Sequence, residues 1–410
     1  MELKYNPFKP FGVVMPGMFS GRVHEITTIE KCLFQTKNEN PEHFLIEGER
    51  GIGKTSLIHF IRSLASGDIS SEAQFNFLVV SVELKSGMTF LDIIKTIAQE
   101  LKLEISRHGD LRTSAKGVFD FLTNWEIMGI KYKKNAPNID PYQTLSDLVD
   151  QISTLLIDNK RQSEQPLDGV LILVDEAEQP SATEGLGELC KNFTEMLTKR
   201  NCNNVCIGLS GLPNLTSTLR ESHESSPRLF HPLTLTALSS EDSKDVINKG
   251  LEDANKRQQE TTIDQDAINY IITLSEGYPH FIQQFSYCAF DVDDDNNITI
   301  EDVAKGAYLP EGAIEQLGKK FFAYQYFNAI AADDYRKVLD TMCESLDSWV
   351  SRKEIIKNSK LSEHTVGNAL KALKQRGIIL ANERVKGEYR LPTKSFAVWI
   401  KARSLKENAL

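Results

Sequence analysis

A glycine-rich loop between an apolar run and an amphipathic one constrains this chain more than any other feature. His43-Phe44-Leu45-Ile46-Glu47 is a short apolar run that reads as a buried strand. Gly48-Glu49-Arg50-Gly51-Ile52-Gly53-Lys54-Thr55 follows it and fits G-x-x-x-x-G-K-[ST] at every fixed position. Beyond Ser56, the residues Leu57, Ile58, Ile61, Leu64 and Ala65 recur at helical period. The glycines let the backbone turn sharply and bring its N–H groups around phosphate oxygens. Lys54 is placed for the β- and γ-phosphates, the Thr55 hydroxyl for Mg²⁺, and the helix N-terminus adds its dipole. The segment Gly48 to Ser56 thus implies a nucleoside triphosphate site. The alternative is a plain glycine-rich turn.

Gly169-Val170-Leu171-Ile172-Leu173-Val174-Asp175-Glu176 is a second apolar run, and it ends in two acids. An unbroken run of this kind fits a parallel strand buried on both faces. Its carboxyl end is where open α/β sheets place ligand chemistry. Asp175 is the candidate to hold Mg²⁺ through water, and Glu176 the candidate to polarise an attacking water. A third buried strand, Asn204 to Pro213, ends at Ser210-Gly211. Ser210 is a candidate to sense the γ-phosphate or fix the water, with a strand-end turn as the alternative. A helix over Asn214–Glu224 and a last strand from Arg228 to Leu235 complete the expected core.

The order of glycine loop, Asp-Glu strand, Ser-ended strand and Ser226-Pro227-Arg228 junction resembles the AAA+ and STAND branches of P-loop ATPases. Within them it is similar to archaeal-type and initiator-like ATPases. Phe19-Ser20-Gly21-Arg22 with Glu25-Ile26 is similar to the family motif that lies just upstream of the P-loop strand, near the base. The resemblance implies ATP with Mg²⁺ and an arginine finger at Arg228 that reaches a neighbouring subunit in a homo-oligomer. Arg220 competes for that role, and a local salt bridge is the alternative for Arg228. Where AAA+ lids offer a second sensor arginine, this chain has Glu276-Gly277-Tyr278-Pro279-His280. That stretch resembles the Gly-x-Pro motif of STAND ATPases. It implies nucleotide contact by Pro279 and His280 and a slow switch rather than a fast motor. A helix start is the plainer reading.

The chain has 410 residues, enough for roughly two to three domains. The expected fold class is α/β: a P-loop NTPase core with a parallel sheet, a helical lid and a C-terminal winged helix-turn-helix. The expected boundaries are 1–237 for the core, with an insertion at about 104–143, then 238–332 for the lid and linking helix, and 333–410 for the winged helix. Within the insertion, Trp125 to Lys133 alternates like an exposed strand. Asp291 to Asp302 imitates a calcium loop, but Asn296 replaces its glycine, so a polar loop with Thr299 capping a helix is the reading kept.

Net charge is −10 and unevenly spread. Residues 351–410 carry 14 Lys/Arg against 5 Asp/Glu, a local balance of +9 on an otherwise acidic chain. A basic tail on an acidic body suggests an anionic partner. In the third helix of that tail, Ser362 is the expected N-cap and Gly377 lies just past the end. Val366, Ala369, Leu370 and Leu373 form its buried face. His364, Thr365, Asn368, Lys371 and Lys374 share the other face, with Arg384 and Lys386 on the wing. These suit DNA, with a protein partner as the alternative. That alternative is a STAND-like signalling or defence adaptor. The six cysteines are scattered and mostly in apolar segments, as in a reduced cytoplasmic protein. No run approaches the ~20 apolar residues of a membrane span, and the start has no basic-then-apolar pattern.

Overall fold

The computed structural model describes residues 4–13, 19–69, 73–108, 111, 116–121, 123, 140–257, 260–328, 330, 332–344, 348–382 and 385–407. The chain divides into two compact units, Val13–Thr236 and Ala237–Leu410 together with Met1–Gly12. The expected strand at Trp125–Lys133 and the wing residue Arg384 lie outside the described residues.

The first unit is built on five parallel strands: β1 (His43–Glu47), β2 (Phe77–Glu83), β3 (Gly169–Asp175), β4 (Val205–Gly211) and β5 (Phe230–Thr234). Their order is β2-β3-β4-β1-β5. The apolar runs that marked β1, β3 and β4 are buried almost end to end, as strands covered on both faces must be. Close packing across the sheet uses Gly208, where a Cβ would lie 2.3 Å from the Phe44 ring. Because all five strands run the same way, the ends of β1, β3 and β4 share one edge. Chain order reverses there, since β1 sits between β4 and β5 while β2 lies at the far side.

Helices supply the rest of this unit. Lys54–Ala65 buries Leu57, Ile58, Ile61, Leu64 and Ala65, the stripe its period predicts. Phe90–Arg107 starts at a capping box in which Thr89 and Asp92 satisfy each other's backbone N–H. Pro141–Gln162 starts at Asp140, whose side chain accepts from the Tyr142 N–H. The chain as a whole is α/β with helix predominating.

The second unit begins with the helices Ser240–Asn255, Gln265–Ser275, Pro279–Val292 and Ile300–Tyr308. Thr299 caps the last of these through a box with Asp302, as the polar-loop reading of that stretch requires. The expected linking helix is not uniform. It runs as Ala313–Leu317, opens into a π turn over Gly318–Phe322 and closes as Ala323–Phe327. Asp333–Met342, Arg352–Ser359 and Glu363–Gln375 follow, with a three-stranded antiparallel sheet of Val350–Ser351, Glu388–Arg390 and Leu380–Ala381. Lys394–Glu407 is the last helix. One apolar core runs through this unit from Phe8 to Ile400.

Candidate functional site

The loop after β1 has the backbone that its glycines allow. Gly51 and Gly53 take φ values of 79° and 99°, which other residues resist. At Gly48 the constraint is space, since a Cβ would lie 2.7 Å from Ile52 Cγ2 and 3.2 Å from Leu235 Cβ. The first turn of Lys54–Ala65, which opens directly at the loop, has N–H groups without acceptors inside the helix. Lys54 Nζ donates to the carbonyls of Gly48 at 2.7 Å and Glu49 at 3.1 Å, so it spans the loop from within. Burial pushes this ammonium below its ordinary value, while Glu176, Glu178 and Asp175 act to hold its charge.

The second acidic segment meets this loop. Thr55 Oγ1 donates to Asp175 Oδ2 at 3.0 Å across 120 residues of sequence. The hydroxyl and the carboxylate thus lie side by side, the first placed to meet a cation directly and the second to meet it through water. The donors are all oxygen, so the pair fits Mg²⁺.

Glu176 follows at φ 51°, a left-handed conformation that is costly for a residue with a Cβ. Its neighbours fix it. The Glu176 N–H donates to Asp175 Oδ1 at 3.0 Å, and the Ala177 N–H donates to the Ser210 carbonyl at 2.9 Å. Gln179 Nε2 donates to Glu176 Oε2 at 3.2 Å.

Two residues bear on the site beyond the candidates given a role there from sequence. Glu178 Oε2 accepts the Leu212 N–H at 3.1 Å, which ties the turn after β3 to the end of β4. Burial pushes the Glu178 carboxyl above its ordinary value, and Glu176 beside it adds to the rise. The signal was present as a second acid two positions after Glu176. Arg22, from the upstream motif, is the other. Its guanidinium donates to the Ile52 carbonyl inside the loop at 3.1 Å and pairs with Glu25 at 3.4 Å. Gly21 and Arg22 both take positive φ, so the chain turns sharply just before the helix Val23–Lys37.

The remaining candidates are placed as follows. Ser210 is fully buried opposite Ile46 on β1, and its hydroxyl has no partner among the described residues. Arg228 lies on the short turn Ser226–Leu229, exposed and without an ion pair among the described residues. Pro279 and His280 belong to the second unit and open the helix Pro279–Val292. In the basic segment, His364, Asn368, Lys371, Lys374 and Lys386 are exposed. Thr365 is half-buried and shares a hydrogen bond of 2.8 Å with the N-cap Ser362. Val366, Ala369, Leu370 and Leu373 are buried, as their spacing requires.

A family model described as "AAA ATPase domain" matches residues 18–200. An uncharacterised HTH-type transcriptional regulator of Methanocaldococcus jannaschii is 23% identical over 291 residues, which are 69% of this chain and 66% of that protein. The chain therefore spans just under two thirds of that relative's length. Among solved structures, the Aeropyrum pernix ORC2 protein in its ADPNP–ADP complexes aligns with a TM-score of 0.53 at 12% identity, over 99% of each chain. Its ADP form gives 0.50 at 12% identity, over 97% of each. At such identity the likeness is one of fold.

Proposed function

From an AAA ATPase domain set in an initiator-like fold, we propose that this chain is a Mg²⁺-dependent ATP switch. Its C-terminal segment would act as a winged helix that binds DNA according to nucleotide state. The observation that carries the nucleotide half is the Thr55–Asp175 hydrogen bond, which joins the phosphate loop to the acidic strand end. Gly48 to Ser56 cradle the phosphates, and Lys54 leaves its carbonyl partners to neutralise the β- and γ-oxygens. Thr55 and Asp175 would hold Mg²⁺, which supplies charge neutralisation at the transferring phosphoryl group. Glu176 orients and deprotonates the attacking water, and Ser210 signals the state of the γ-phosphate. Arg228 reaches the site of a second copy, and Pro279 with His280 senses the nucleotide. Hydrolysis is slow, in keeping with a lid segment that has no arginine at the sensor position.

The DNA half is supported by the exposed Lys371, Lys374 and Lys386 beside a helix whose other face is buried. It is also supported by the helix-turn-helix regulator among the relatives. His364, Thr365 and Asn368 would read base edges, and the lysines with Arg384 would meet phosphates. The competing reading, a STAND-like adaptor with a protein-docking winged helix, draws on the Gly-Tyr-Pro segment. We assign the protein to the cytoplasm on its scattered free thiols. Among the described residues no helix is long and apolar enough to cross a membrane.

Fluorescent-nucleotide binding and steady-state turnover test the first half. Lys54→Ala should abolish binding, and Glu176→Gln should bind ATP yet turn over at least ~100-fold more slowly. Turnover in Glu176→Gln equal to the parent removes Glu176 from the mechanism. DNA titrations across salt concentration test the second half. Replacing Lys371, Lys374 and Lys386 should flatten the salt slope by about one for each phosphate left without its lysine. No DNA affinity at low salt, with or without ATP, sinks the DNA reading in favour of the adaptor.

A further inference from the structure

The edge of the parallel sheet away from the phosphate loop holds a cluster that the nucleotide chemistry leaves unused. Cys32 lies on the inner face of the helix Val23–Lys37 and is 1% exposed. Glu42 immediately precedes β1. His231 is the second residue of the edge strand β5, opposite Phe44 of β1. One donor atom from each of these three side chains lies within 4.8 Å of the others. Cys32 and Glu42 come from adjoining segments and His231 from a strand far along the chain, and all three reach the amino ends of β1 and β5.

His231 Nε2 stands 3.3 Å from Glu42 Oε2. That oxygen is shut off from solvent, yet it takes part in no hydrogen bond with suitable angles. An imidazole and a carboxylate that served only each other would align an N–H with a lone pair. Here the distance is met and the alignment is not, as expected of two donors turned toward a common third point. A separation of 3.3 Å is also the edge of a tetrahedron whose metal–ligand bonds are about 2.0–2.1 Å. Thiolate, imidazole and carboxylate together suit a borderline divalent ion rather than Mg²⁺ or Ca²⁺. Cys206 on β4 borders the cluster and donates its S–H to the Glu42 carbonyl at 3.1 Å, which helps fix the Glu42 backbone.

We propose that Cys32, Glu42 and His231 form a zinc-class metal site, with water as the fourth ligand on the side where His231 is half exposed. On binding, the Cys32 thiol gives its proton to bulk water and the sulfur takes the metal. The ion then fastens the edge strand β5 and the helix Val23–Lys37 to the start of β1. The site is separate from the Thr55–Asp175 pair, which offers only oxygen.

Cobalt(II) titration of the full chain tests this, with the protein stripped by chelator, kept reduced and supplied with excess Mg²⁺. The parent should bind one Co²⁺ per chain with a thiolate-to-cobalt charge-transfer band, and added Zn²⁺ should bleach it. Cys32→Ser should lose the band. His231→Ala, a change at a half-exposed position that leaves the fold intact, should weaken binding by at least ~tenfold, as should Glu42→Gln. Zn²⁺ should raise the thermal midpoint of the parent and not of His231→Ala. The proposal fails if the folded parent shows no charge-transfer band. It fails equally if His231→Ala and Glu42→Gln both bind Co²⁺ as the parent does, or if only Cys206→Ser removes the band.

Discussion

At the scale of single residues, the site depends on an acid in an uncomfortable conformation. Glu176 at φ 51° keeps strain that a glycine would relieve. Glu176→Gly should therefore raise the unfolding free energy by up to about 1 kcal/mol while abolishing turnover. Denaturation curves and phosphate release check the two halves, and a less stable variant would show that the conformation is unstrained. His280 carries a different consequence. Burial pushes its imidazole down to about 4, and Lys320 acts in the same direction. The ring is therefore neutral near pH 7, packed edge-on against Phe321 at 4.8 Å, and it offers a nucleotide no positive charge there. Its folded value lies below the unfolded one of about 6.5. The unfolded chain thus takes up the proton first, so stability is full above about 6.5 and falls as pH drops toward about 4. The loss should be on the order of 3 kcal/mol. His280→Gln should flatten that part of a stability–pH curve, and an unchanged curve rejects the assignment.

At the scale of elements, local chemistry was readable and long-range fit was not. Ser362, Thr299 and Gly377 were identified as helix ends because capping is settled within four residues of chain. The linking helix misled because its interruption is set from outside. A Cβ at Gly318 would stand 1.9 Å from Trp399 Nε1, so the indole of the last helix occupies the space a side chain would need. The π turn over Gly318–Phe322 lies at that contact. Gly318→Ala should destabilise the protein by about 1–3 kcal/mol through overpacking. Gly318→Ala combined with Trp399→Leu should recover part of that stability. Chemical denaturation of both variants checks this, and additive effects would disprove the steric cause.

At the scale of the whole molecule, the first dozen residues belong with the end of the chain. Phe8 is 2% exposed and packs on Phe290 and against Gly250, where a Cβ would lie 2.4 Å from its ring. Lys4 pairs with the Asp293 carboxylate, which is 0% exposed, and the Lys9 N–H donates to Gln283 at 2.7 Å. Phe8→Ala should cost about 3–5 kcal/mol, read as a lower denaturation midpoint by tryptophan fluorescence. A cost under about 1 kcal/mol would mean that the segment merely lies on the surface. Nothing in Met1-Glu2-Leu3-Lys4-Tyr5-Asn6-Pro7-Phe8 announced this, because its partners lie more than 240 residues away. The same division holds throughout. The sequence by itself determined the phosphate loop, the acidic strand end and the helix caps, since each depends on neighbours along the chain or on one unbroken apolar run. Tertiary structure alone decided that Glu178 would tie the two strand ends together and that Arg22 would brace the loop. It also decided that Cys32, Glu42 and His231 would converge. Such meetings depend on how strands are ordered in the sheet, and spacing along a chain carries no trace of that order.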